Sequence, residues 1–203
     1  VFVPWALSGV VGLWHFYPAG DDPTLIPDEH WYLTDYHVSR ETYDQRPRYP
    51  LRVIHAGPED YEFGPLEDWI RGSLRFQPEH RRYAVISNSE IMRPFTFTDF
   101  KRSRHENPAP ESHTVAGEDL RNPQIHRSNF LLEIFFRAEP GHGNSVLVEK
   151  MEQTGYRLAI LPDGRLLFAT RTSEAEHRVE SRRAIHDGAW HHVIAEADRK
   201  SVV

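Results

Sequence analysis

Asn129-Phe-Leu-Leu-Glu-Ile-Phe-Phe-Arg137 is a dense run of strand formers with no helical period. Alternation along it sets Phe130, Leu132, Ile134 and Phe136 on one face, and Leu131, Glu133, Phe135 and Arg137 on the other. Five more pieces of strand length follow, at 145–151, 155–161, 165–171, 178–185 and 189–197. The punctuation between them is turn chemistry. Leu161-Pro-Asp-Gly-Arg165 offers Pro at the second turn position and Gly where a left-handed residue is needed, so two antiparallel strands fold back there. Asp187-Gly188 does the same before Ala189. Short strands at regular spacing, with no helix between them, read as an all-β antiparallel sandwich or barrel.

Upstream the pattern loosens. A strand is expected at 9–16, and a strand pair at 72–77 with 82–87. The stretch 17–71 reads as a long insert rich in Pro, Asp, Tyr and Trp. It holds one strand-like piece at 51–55 and one short helical candidate at 65–70, with Pro65 at its start. A second insert, 93–122, is polar and carries Pro94, Pro108 and Pro110, which suits a surface loop.

The 203 residues carry 24 Lys and Arg against 30 Asp and Glu, a formal charge of −6. A mildly acidic chain without a basic block is a poor match for nucleic acid or an anionic membrane surface. The absence of Cys excludes a disulfide scaffold, Cys-ligated zinc and a thiol nucleophile. The apolar opening at 1–17 is broken by Pro4, Ser8, Gly9, Gly12 and His15, so it is too short to span a bilayer, and it lacks the basic start of a signal peptide. The chain starts at Val1 and ends within a strand, so it reads as a fragment of a larger protein, with 198–203 as a tail foreign to the domain.

Gly12-Leu-Trp-His-Phe16, Gly72-Ser-Leu-Arg-Phe76, Tyr83-Ala-Val-Ile86, the 130–137 strand and Asp187-Gly-Ala-Trp-His-His-Val193 occur in the order of a laminin-G-like domain. The chain thus resembles the concanavalin A-like lectin/glucanase superfamily over 9–197. The resemblance implies one jelly-roll β-sandwich domain across 1–203, with long inserts and further strands after the Trp-His-His-Val piece. It also implies an extracellular, periplasmic or cell-surface location and a glycan or protein ligand. Losing the final strands would leave an unpaired edge, so 1–203 alone is expected to aggregate or stay partly unfolded.

The residues then limit the chemistry. Glycosidic cleavage needs two carboxylates a few ångströms apart on one face, and Glu133 has only Leu131 and Phe135 beside it on its own strand. Glu149 and Glu152 differ in parity. Gln124-Ile125-His126 matches a tripeptide of alginate lyases on the same jelly roll, but the strand motifs that accompany it there are missing. The expectation is a non-catalytic recognition module, with polysaccharide cleavage as the alternative. Trp31, Tyr32, Tyr36 and Tyr43 are the candidate ligand platform, or else rings covering the core under a loop. Trp190 is expected to insert between sheets. His191 and His192, adjacent on a strand, face opposite ways and suit one metal poorly. The pairs Asp21-Asp22 and Glu59-Asp60 are candidates for a Ca²⁺ site or for plain solvated turns.

Overall fold

A computed structural model describes residues 12–17, 21–27, 49–66, 70–86, 129–141 and 143–198. Those residues are mostly strand in antiparallel sheets, with two single-turn 3₁₀ segments, Pro58–Asp60 and Pro78–His80, as the helical content. No helix among them is long and apolar enough to cross a membrane. The chain divides into two compact units, Val1–Pro123 and Gln124–Val203.

The second unit matches the strand expectation almost residue for residue. It comprises β6 (Phe130–Arg137), β7 (Ser145–Met151), β8 (Gly155–Ile160), β9 (Arg165–Arg171), β10 (Glu176–Ala184) and β11 (Trp190–Ala197). Strands β7 to β10 form a four-stranded sheet in the order β10-β9-β8-β7, and β11 pairs with β6 in a two-stranded ribbon. The Pro-Asp-Gly turn joins β8 to β9 as its chemistry requires. Gly164 sits at φ +81°, and the Leu161 amide donates to the Arg165 carbonyl at 2.7 Å. Burial is deepest on β8, one of the two inner strands, where Leu158, Ala159 and Ile160 are all buried. A half-exposed sheet would bury only every second residue; here three in a row are covered. Phe130 of the ribbon lies 5.2 Å from the ring of Tyr156 and 6.1 Å from that of Phe168, so aromatic contacts link the ribbon to the larger sheet.

The first unit departs more from expectation. It contains β1 (Leu25–Ile26), β2 (Leu51–Ile54), β3 (Tyr61–Leu66), β4 (Ile70–Leu74) and β5 (Tyr83–Val85). Within the 17–71 stretch the expected strand piece at 51–55 is β2, while β1 and β3 lie where irregular insert is expected, and Ile26 and Val53 there are fully buried. The strand at 9–16 is not seen in its described part: residues 12–15 have no regular structure and Phe16 takes φ +52°, which breaks an extended run. Strands do occur near 72–77 and 82–87, but not as partners. Strand β4 pairs with β3, and β5 pairs with β2. The 3₁₀ turn at Pro78–His80 and Arg81 at φ +48° redirect the chain between them. The helix at 65–70 is also corrected. Pro65 and Leu66 end β3, and Ile70 opens β4. Six residues cannot repay helix nucleation, whereas a hairpin pairs their backbones at once. The register slips between Phe63 and Leu66, and the chains close so tightly that a Cβ on Gly64 would fall 1.8 Å from the Ile70 carbonyl.

Candidate functional site

The β6–β11 ribbon pairs over eight residues without a slip, from Trp190 opposite Arg137 to Ala197 opposite Phe130. Its inner face takes Phe136, His191 and Ala195; its outer face takes Leu131, Glu133, Phe135 and Arg137 beside Trp190, His192, Ile194 and Glu196. The apolar-in pattern of β6 thus behaves as its alternation requires. Trp190 does not. It stands on the outer face, 37% exposed, with the Arg137 guanidinium 5.5 Å from its ring centroid. Its register opposite Arg137 fixes this: the strand must turn His191 inward to keep Val193 and the buried Ala195 on the inner face, so Trp190 points out.

The two histidines divide the work. On the inner side His191 tilts against Phe136 at 5.8 Å and its Nε2 lies 2.9 Å from Asp187 Oδ1. That carboxylate also accepts the Ala189 amide at 3.0 Å, which closes the Asp-Gly turn. These two bonds, His191 first, hold the Asp187 carboxyl below the usual carboxylate range. A depressed carboxyl adds stability above its unfolded value and loses it as pH falls through the folded one. Asp187→Asn is therefore expected to lower the melting temperature at pH 7, by less and less as pH falls from there through the depressed folded value of the carboxyl. Melts of both proteins across that range check it; a difference that persists in acid would remove the carboxylate from the account.

On the outer side His192 lies flat on Phe135, with ring centroids 4.1 Å apart and planes 2° off parallel. Its Nε2 donates to Glu133 Oε1 at 2.7 Å. Fifty-nine residues separate that pair in sequence, and no local spacing announces it. The face therefore runs from an aliphatic end, Leu131 with Ile194, through the Glu133–His192 pair, to an aromatic end, Phe135 with Trp190 and Arg137. Leu131 and Ile194 are 54% and 57% exposed. Cross-strand pairing also makes Glu196, opposite Leu131, a diagonal neighbour of Glu133, so a second carboxylate reaches this face from another strand. Reading one strand at a time misses it.

The other candidates are placed as follows. Trp31, Tyr32, Tyr36 and Tyr43 lie outside the described residues, as do His126 and the 93–122 insert. Of the neighbouring rings, Tyr49 is buried and its carbonyl accepts Trp14 Nε1 at 2.7 Å, while the Tyr61 hydroxyl donates to the Pro23 carbonyl at 2.5 Å. Neither is an open stacking plane. The proposed calcium carboxylates are already spent. Asp22 accepts the Thr24 amide and hydroxyl at 2.8 and 2.6 Å and pairs with Arg52 at 3.2 Å. Asp60 is buried against Arg82 at 2.7 Å and accepts the Gly57 amide at 2.8 Å. Asp21 and Glu59 remain exposed beside them. A hard cation needs six or more oxygens, and a guanidinium already neutralises each of these sites, so the residues do not fit Ca²⁺. No group of three or more His, Asp or Glu gathers at metal spacing among the described residues.

Comparison with known families, curated proteins and solved structures gives no match.

Proposed function

We propose that this chain is a non-catalytic recognition module, a laminin-G-like jelly-roll sandwich within a larger exported or cell-surface protein. It binds its ligand on the outer face of the β6–β11 ribbon. The single observation that carries the reading is the composition of that face: Trp190, Arg137, Leu131, Ile194 and a hydrogen-bonded Glu133–His192 pair on one regular, pre-formed surface. Exposed Trp and Arg beside aliphatic residues are what protein-binding centres are enriched in, with charged pairs fixing register. A protein ligand is the first reading. A glycan is the second, supported by the Trp190 ring with planar polar groups at Arg137 and Glu133, since sugar faces stack on rings and hydroxyls need directional partners. The two sheets of the second unit, linked through Phe130, Tyr156 and Phe168, support the sandwich. Fold likeness is a weak warrant for function, so the face carries the argument.

The test is retention. Immobilised chain is offered neutral and uronate polysaccharides and then a protein extract, beside Trp190→Ala and Ile194→Asp variants that melt like the native protein. A retained ligand is expected to lose at least about tenfold in affinity in each variant, the scale of a centre residue in an interface. Retention indifferent to both substitutions would move the site elsewhere. Release of reducing ends or unsaturated uronate by the native chain, abolished in Glu133→Gln or Glu196→Gln, would overturn the non-catalytic reading in favour of a polysaccharide-cleaving enzyme.

A further inference from the structure

Alternation and register together decide which side chains are neighbours on the outer face of the β6–β11 ribbon. Leu131 stands opposite Glu196, and Glu133 stands opposite Ile194. The four form a block with aliphatic side chains on one diagonal and carboxylates on the other, and diagonal partners about 7–8 Å apart are within reach of long side chains. Leu131 and Ile194 are 54% and 57% exposed, and Glu133 and Glu196 are exposed beside them. The next row is Phe135 opposite His192, with the imidazole flat on the phenyl ring. A carboxylate oxygen only accepts, so the 2.7 Å contact with Glu133 Oε1 puts the proton of neutral His192 on Nε2 and leaves Nδ1 as an acceptor. From Leu131 to His192 the face therefore presents two carboxylates and a ring nitrogen, all acceptors, set among apolar side chains. Arg137, at the far end of the face, stands over the Trp190 ring instead.

We propose that this block receives an arginine side chain of a protein partner, with the guanidinium between Glu133 and Glu196 and the methylene stem across Leu131 and Ile194. Each part of that residue answers a part of the block. A guanidinium carries five N–H donors and no acceptor, in a planar fork that matches carboxylates. It is more weakly hydrated than an ammonium and stacks on flat rings, which favours arginine over lysine beside the Phe135–His192 pair. The stem covers aliphatic surface while the head stays on the charges. His192 already orients Glu133, so part of the geometry exists before binding. A neutral or acidic surface would strip water from both carboxylates and bring them no cation. The proposal rests on the recognition reading and narrows it, since an acidic glycan is the wrong ligand for this end of the face.

The experiment is fluorescence anisotropy of labelled heptapeptides on the 203-residue chain. The first peptide has Arg at its centre between two Leu; the others replace that Arg by citrulline, Lys or Glu. The Arg peptide is expected to bind with a Kd below about 1 mM, and the citrulline peptide, which keeps the shape and loses the charge, about tenfold or more weakly. The Lys peptide should fall between them and the Glu peptide should not bind. Glu196→Gln and Glu133→Gln should each weaken the Arg peptide about tenfold. Glu133→Gln keeps an oxygen for His192 Nε2, so it removes charge without undoing the ribbon. Glu174→Gln, at an exposed carboxylate in the turn between β9 and β10, should have no effect, which separates the site from the net charge of the chain. Equal binding of the Arg and citrulline peptides, an equal loss in Glu174→Gln, or no binding of the Arg peptide at about 1 mM would each overturn the proposal. Retention of a polysaccharide that Trp190→Ala weakens and Glu196→Gln does not would overturn the arginine site and leave recognition by the face standing. Retention indifferent to both Trp190→Ala and Ile194→Asp would overturn both readings.

Discussion

Arg82→Met is expected to destabilise the first unit by about 3–5 kcal/mol, the cost of leaving a buried charge without its partner. Arg82 is the tie of that unit. Its guanidinium pairs with Asp60 at 2.7 Å, and both side chains are almost wholly buried, at 2% and 7% exposed. Its other hydrogens go to the His55 carbonyl at 3.1 Å, the Arg75 carbonyl at 2.6 Å and His80 Nδ1 at 3.2 Å. One side chain thus joins the loop after β2, the end of β4, the Pro78–His80 turn and the Pro58–Asp60 turn. Removing it strands the Asp60 carboxylate and two carbonyls in a dry place, where each lost partner costs the full desolvation of the group. The buried pair need not be worth much in itself. An apolar replacement of both partners is often neutral, so Arg82→Met with Asp60→Leu should recover most of the loss. Hydrogen exchange of the β2 and β5 amides isolates the effect to this unit. A loss under about 1 kcal/mol for the single variant would show that the pair is solvated.

Gly164→Ala should cost the second unit about 2–4 kcal/mol, from two separable causes. The residue lies at φ +81° in the β8–β9 turn, and a left-handed backbone costs a non-glycine residue about 1–2 kcal/mol. A Cβ there would also fall 1.6 Å from His186 Nδ1, and forcing bulk into a filled space adds about 1–3 kcal/mol. The atom met is a ring nitrogen of His186 that is buried and has no hydrogen-bond partner. Gly164→Ala combined with His186→Ala therefore separates the terms. It should recover the clash, once the cost of His186→Ala alone is subtracted, and leave the backbone strain. Denaturant midpoints of the two single variants and the pair measure this. Full recovery in the pair would mean that the turn tolerates a side chain at φ +81°.

The strands of the second unit were legible because each carries its own signal. Alternation in 130–137 and the Pro-Asp-Gly and Asp-Gly turns fix strand limits locally, and neighbours in sequence are neighbours in the sheet from β7 to β10. The antiparallel all-β class follows from those residues with no tertiary information. Pairing across long separations is another matter. The sequence alone pairs 72–77 with 82–87, whereas β4 pairs with β3, and the turn at Pro78–His80 with the left-handed Arg81 directs β5 to β2 instead. The outward face of Trp190 depended on its register with β6, a strand some fifty residues earlier. The same holds for the Glu133–His192 pair, for Glu196 beside them, and for Arg82 on Asp60. Each partner alone is an ordinary polar residue in an ordinary place. Hydrophobic period is a property of one segment and can be read from it. A hydrogen bond between distant segments exists only once the chain has closed a long loop and fixed both backbones, and no composition or spacing encodes that geometry.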